Sequence, residues 1–126
     1  MEKQVFVSPQ GPPAVGPYSP AIGVGNLVFL SGQIGLDTEG NVVGSTPAEQ
    51  ARKALENMRA VLEEAGLGLS DVVKTSIFLQ NIEDFAAVNA VYAEFFSEPY
   101  PARLTVQAGR LPLDLLVEMD AIAIRP

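Results

Sequence analysis

The chain contains no cysteine and no histidine. Without cysteine there can be no disulfide, no thiolate nucleophile and no thiolate-held metal. Without histidine the commonest general base and metal ligand is missing. A Ser-His-Asp triad, a Cys-His pair and a histidine-containing zinc site are all excluded. Any catalysis must run on carboxylates, Arg, Lys, Tyr, hydroxyls, backbone groups and water. Positive charge is also scarce, with 8 cations against 15 acids and a net charge of −7. The cations are scattered and form no basic run. Nucleic acid is therefore a disfavoured partner, because phosphate binding needs a dense Lys/Arg surface. No apolar stretch approaches the roughly 18 residues of a membrane span. The start, Met1 to Gln4, has no basic segment leading into an apolar one, so no signal peptide is expected. The expectation is a cytoplasmic protein.

What is present suits one globular domain over residues 1–126, with 48% hydrophobic residues. Gln4 to Val7 reads as a short strand. Pro9 to Pro20 is rich in proline and glycine and reads as an ordered loop. Ala21 to Gly25 and Leu27 to Gln33 read as strands turning at Gly25-Asn26. Thr46-Pro47-Ala48-Glu49 opens a helix, with Thr46 as N-cap, Pro47 at the first position and Glu49 closing a capping box. Ala51, Leu55, Met58, Leu62 and Ala65 form its apolar face, and Gly66 stops it. Val72 to Leu79 is a strand rich in β-branched residues. A second helix is expected from Ile82 to Phe96, with Phe85, Val88, Tyr92 and Phe95 on its apolar face. Arg103 to Ala108 and Leu115 to Ile124 complete the set and are expected to pair as an antiparallel hairpin. The order βββαβαββ implies an α+β fold, a six-stranded mixed sheet with two helices on one face. Two helices leave the other face uncovered, although its strands are apolar on both sides. That face is expected to pack on another copy of the chain.

Side chains alternate along a strand, so Arg103, Thr105 and Gln107 share one face, and Glu118 and Asp120 share one. In a symmetric hairpin Thr105 would stand opposite Glu118, and Arg103 would be a diagonal neighbour of Glu118. A glutamate inside Leu115 to Ile124 is costly unless paired or used. One account is a cross-strand ion pair among Arg103, Glu118 and Asp120. The other is an anion site, with a guanidinium fork on a carboxylate and a neighbouring carboxylate handling water. Ser31-Gly32-Gln33 ends a strand and can offer backbone N–H groups, or be a plain turn. Tyr18 in its restrained loop can close a pocket or stand idle, and Asn89 can line one or face solvent. Gly23-Val24-Gly25 lacks the third glycine of a dinucleotide fingerprint and starts no helix.

Several segments occur in order: Gly16-Pro17-Tyr18-Ser19, Val28 to Gln33, Val88-Asn89 through Tyr92 with Phe95-Phe96, Pro101-Ala102-Arg103, Arg110-Leu111-Pro112 and Leu116-Val117-Glu118. Together they resemble the reactive intermediate deaminase family, also called RidA or YjgF-like proteins, over nearly the whole chain. The resemblance implies a chorismate-mutase-like fold and a homotrimer with a central barrel and clefts between subunits. It implies hydrolysis of 2-imino acids and their enamine tautomers, such as 2-iminopropanoate and 2-aminoacrylate, to 2-oxo acids and ammonia. No cofactor and no metal are implied. Arg103 would hold the substrate carboxylate and Glu118 would orient water and handle its proton. Tyr18, from a neighbouring subunit, would close the cleft, with Ser31, Gly32, Asn89 and Thr105 as substrate-binding positions. Many members read Pro-Ala-Arg-Ser-Cys, whereas Leu104 and Thr105 stand here, and Pro20 stands where Gln is common. The alternatives are a non-catalytic protein that binds small carboxylates, or an endoribonuclease or translation inhibitor.

Overall fold

The computed structural model describes all residues, Met1–Pro126. Helix α1, Pro47–Glu64, begins where its capping box requires: Glu49 N donates to Thr46 Oγ1 and the Glu49 carboxylate accepts from Thr46 N. It ends where Gly66 takes a left-handed φ of 74° that L side chains resist. Leu55, Met58 and Leu62 on one stripe are wholly buried. Two polar residues beside that stripe are also buried, and both are satisfied. Asn57 Nδ2 donates to the carbonyls of Ile34 and Leu36. Gln50 Nε2 donates to Gly44 O, and Gln50 Oε1 accepts from Leu116 N. These bonds clamp the loop after the third strand and the start of the last one.

Strands β1 (Gln4–Phe6), β2 (Ala21–Val24), β3 (Leu27–Gln33), β4 (Val72–Leu79), β5 (Ala102–Gln107) and β6 (Val117–Ile124) form one sheet in the order β1-β2-β3-β6-β4-β5. Helix α2, Phe85–Phe95, follows a single 3-10 turn at Ile82–Asp84. The helix expected from about Ile82 thus starts three residues later, after a turn capped by Asn81 Oδ1, which accepts from Glu83 N, and tied to β5 by Gln107 Oε1, which accepts from Ile82 N. Both helices lie on one face over Val28, Ile77, Leu79, Val117 and Met119, all fully buried or nearly so. No helix is long and apolar enough to cross a membrane.

The expected hairpin of the last two strands does not form. β5 pairs with β4 in parallel, and β6 runs antiparallel between β3 and β4. Two physical causes act together. β4, α2 and β5 form a β-α-β unit, whose crossover delivers a parallel neighbour. β6 alternates buried Val117, Met119, Ala121 and Ala123, so it gains most by having a strand on each edge. β5 is largely exposed and takes the edge instead. The connection from β5 must then cross β4, a step of about 10 Å at two strand spacings. It does so through a turn with Leu113 and Asp114 at φ of 57° and 53°, held by Arg110 Nε donating to Asp114 and by burial of Leu111 and Leu115.

The face away from the helices is apolar and open. Phe29 is 41% exposed, Leu104 52% and Ile124 41%, with Ile22 and Ile122 half-buried beside them. The uncovered face expected from the sequence is present.

Candidate active site

The residues selected from the sequence fall into two groups on opposite faces of the sheet. Arg103 stands beside Thr75 in the β4–β5 register. Thr75 is fully buried and its hydroxyl meets that of Tyr92 on α2 at 2.9 Å, so this register position points to the helices. The Arg103 guanidinium accordingly lies over Tyr92, 4.9 Å from its ring centroid, and 5.5 Å from that of Phe85. Asn89 lies four residues after Phe85 and three before Tyr92, on the same stripe of α2. Thr105 follows on the same face of β5, beside Ile77. Its hydroxyl is buried and has no hydrogen-bond partner.

Arg103 has no carboxylate partner. The ion pairs of the chain are Arg52–Glu94 and Arg110–Asp114. The cross-strand pairing of Arg103 with Glu118 and Asp120 is therefore overturned, as is their placement on one face of one chain. Strand alternation grouped each strand's residues correctly, but the neighbouring strand was misassigned.

Glu118 stands on β6 beside Phe78, three residues along β4 from Thr75 and hence on the open face. Burial pushes the Glu118 carboxyl above the ordinary carboxylate range, and the charge of Asp120 adds to that. The carboxylate lies over Gly32, where β3 and β6 shift register between Leu30 and Gln33. A Cβ on Gly32 would collide with Glu118 Oε2 and sit 2.8 Å from its Cδ. The preceding residue anchors the proline-rich loop: Ser31 Oγ donates to Ser19 O at 2.6 Å and Ser31 N donates to Pro20 O at 2.9 Å. Tyr18, half-exposed, is one residue from that anchor. The Ser31 hydroxyl proton is thus committed to the loop, a role the sequence did not suggest.

The structure thus joins Arg103, Thr105 and Asn89 on one side, and Glu118, Gly32, Ser31 and the Tyr18 loop on the other. Two hollows of about 380 and 340 Å³ run along the exposed side of α1 and touch neither group. No cluster of acidic side chains is built to hold a metal ion. Sequence reasoning missed the aromatic seat of Arg103. Phe85 and Tyr92 were assigned only to a helix core face. Their seven-residue spacing, two turns on one stripe, was the available signal.

The family model described as Endoribonuclease L-PSP matches residues 8–125. A 2-iminobutanoate/2-iminopropanoate deaminase of Dermatophagoides farinae is 45% identical, covering 97% of this chain and 96% of its own. The chain belongs to the RidA/YjgF family. Another relative, a RutC family protein of Pyrococcus abyssi, is 48% identical over 98% of both chains. Among solved structures, Escherichia coli TdcF with bound serine superposes with a TM-score of 0.92 at 38% identity, covering 98% of this chain and 99% of that one. The RidA/YjgF resemblance found in the motifs is thereby established, and the α+β fold it implied is the one observed.

Proposed function

We propose that this RidA/YjgF chain hydrolyses short-lived 2-imino acids and their enamine tautomers to 2-oxo acids and ammonia, in clefts between three copies of itself. The observation that carries the proposal is the pairing of unfinished half-sites. One face offers a guanidinium with no counter-ion, and the other a desolvated glutamate with a raised pKa. A single chain keeps them apart, so only a neighbouring copy can bring one to the other. The uncovered apolar face supplies the driving force for that association. The deaminase name of the mite relative and the serine bound to TdcF support a small amino-acid-like substrate.

The chemistry needs little else. Arg103 holds the substrate carboxylate through two parallel charge-assisted hydrogen bonds. An enamine first takes up a proton on carbon and gives up one from nitrogen, becoming the imine. Water bound by Glu118 attacks the imine carbon and gives a proton to the carboxylate, while the C=N pair moves to nitrogen. Protonated Glu118 then returns that proton to nitrogen. Glu118 then takes the remaining hydroxyl proton and passes it to nitrogen, so the C–N bond breaks with nitrogen leaving as ammonia while the C=O bond forms. Imine plus water gives 2-oxo acid plus ammonia, with no covalent enzyme intermediate. A carboxyl held above its ordinary pKa suits both steps, because it accepts a proton from water more readily than a free carboxylate does and can then return it. Tyr18 closes the cleft, and Asn89, Ser31, Gly32 and the hydroxyl of Thr105 bound the substrate. The net charge of −7 opposes an anionic substrate, but charges more than about 8 Å away are largely screened at physiological salt. Arg103 therefore governs locally. The same net charge and scattered cations argue against RNA as the substrate.

The test generates imino acids with an amino acid oxidase, alongside a trap that competes for them. The protein should speed 2-oxo acid release. Arg103→Ala should lower kcat/KM by roughly 10- to 100-fold, the worth of a charged hydrogen-bonded contact. No acceleration over buffer across several amino acids would leave carboxylate binding without turnover as the better account. A monomer in sedimentation would sink the shared cleft.

A further inference from the structure

A free arginine on an exposed edge strand should wander. Its side chain has about 2 kcal/mol of rotamer entropy to lose, and a mobile fork binds a carboxylate poorly. Arg103 is such a residue: exposed, on the outermost strand, and without an ion-pair partner. Yet its guanidinium is stationed over two rings; the Tyr92 ring is tied to the sheet through its own hydroxyl, and the turn leading into Phe85 through a backbone amide. Tyr92 is buried, stacked on Phe96 with centroids 4.4 Å apart, and its hydroxyl is joined to that of Thr75. Thr75 is also the residue beside Arg103 in the strand register. Root and tip of the arginine are thus referred to one buried threonine. Phe85 is 40% exposed and opens α2. The turn that leads into it is held by Gln107 Oε1, which accepts from Ile82 N at 2.8 Å. Gln107 lies on the same β5 face as Arg103 and Thr105.

We propose that Phe85, Tyr92, Thr75 and Gln107 form a positioning cradle that holds the Arg103 fork ready before substrate arrives. The proposal rests on Arg103 as the carboxylate-binding group. Phe85 and Tyr92 present their ring faces to the cation, which draws it electrostatically without neutralising it. A carboxylate partner would hold the arginine equally well, but would compete with the substrate. Gln107 and Thr75 act through the rings and touch no substrate.

The cradle is tested on the whole protein with 2-oxobutanoate as probe. Phe85→Leu and Gln107→Ala are the working variants, because both positions are exposed and their loss leaves the core intact. Each should raise the calorimetric Kd roughly 3-fold or more, within the range expected of a cation–ring contact. KM for the imino acid should rise likewise with kcat little changed, since carboxylate binding is common to ground and transition states. Tyr92→Phe, which keeps the ring but unties it from Thr75, should raise Kd about as much as Gln107→Ala in the same titration, since each removes one hydrogen bond that steadies a ring. The independent readout is the Arg103 Nε–H signal in ligand-free protein by NMR. It should be shifted by the rings and slow to exchange with water, and Phe85→Leu should move it toward the position of free arginines. A parent signal already at the free-arginine position overturns the cradle. So do both variants binding within twofold of the parent while Arg103→Ala abolishes binding. If Arg103→Ala leaves Kd unchanged, the carboxylate site itself fails, and the Nε–H signal still decides whether the arginine is held.

Discussion

Thr105→Val separates stability from function at one atom. The Thr105 hydroxyl is buried and unpartnered in the structure. Leaving such a group unmade costs about 1–3 kcal/mol relative to solvent, whereas an apolar isostere has nothing to desolvate. Valine has the same shape and suits a strand equally well. The substitution should therefore stabilise the protein by about 1–2 kcal/mol. For a chain of this size that raises Tm by roughly 3 to 8 °C, measured by differential scanning calorimetry at fixed protomer concentration because association contributes. The functional effect should run the other way. The hydroxyl follows Arg103 on one face of β5, and rotation about χ1 turns it toward a carboxylate held there. Losing a hydrogen bond to a charged group costs about 1.5–3 kcal/mol, so KM should rise roughly 10- to 150-fold. A variant that is more stable and binds less well identifies a polar group kept for substrate. A lower Tm would refute the reasoning, because it would mean the hydroxyl has a partner in the assembled protein. An unchanged KM would remove Thr105 from the site.

Two further substitutions probe the Glu118 side. Gly32→Ala places a methyl group where the Glu118 carboxylate lies. That obstacle is the flexible end of a side chain, so circular dichroism and sedimentation should match the parent. Turnover should drop on the order of 10- to 100-fold as the carboxylate is displaced by an ångström or so, and full activity would show that Glu118 need not sit there. Glu118→Gln tests the raised pKa through stability. The folded state binds this proton more tightly than the unfolded chain does. Glu118's contribution is therefore complete below about pH 4.3, the unfolded value, and is lost as pH rises through the raised folded value. Glutamine mimics the protonated form. The variant should be inactive yet more stable than the parent at pH 7, with the difference closing toward pH 4 in denaturant titrations. A gap that is the same at both pH values would count against a desolvated Glu118.

Local signals named the elements well. Thr46, Pro47 and Glu49 placed the start of α1, and the β-branched run placed β4 at its observed ends. These are properties of neighbouring residues, so the chain carries them without reference to its fold. The missing histidine and cysteine narrowed the chemistry through composition alone, and the motifs around Arg103 and Glu118 identified the family. Alternation along each strand also told which residues travel together: Arg103 with Thr105, and Glu118 with Asp120.

Strand pairing was a different matter. No local feature of Arg103 to Ala108 says that its partner is β4 rather than β6. That choice follows from where α2 delivers the chain and from the demand of β6 for neighbours on both edges, which are long-range facts. It decided that Arg103 rises toward the helices and Glu118 toward the open face. The aromatic seat of the arginine and the Gly32 notch beneath the glutamate follow from the same choice. Composition and local pattern therefore settle which residues are chemically equipped. That one chain holds them on opposite sides of a sheet is a property of the fold, because alternation says only which residues of a strand share a face, and pairing with the neighbouring strands decides which face that is.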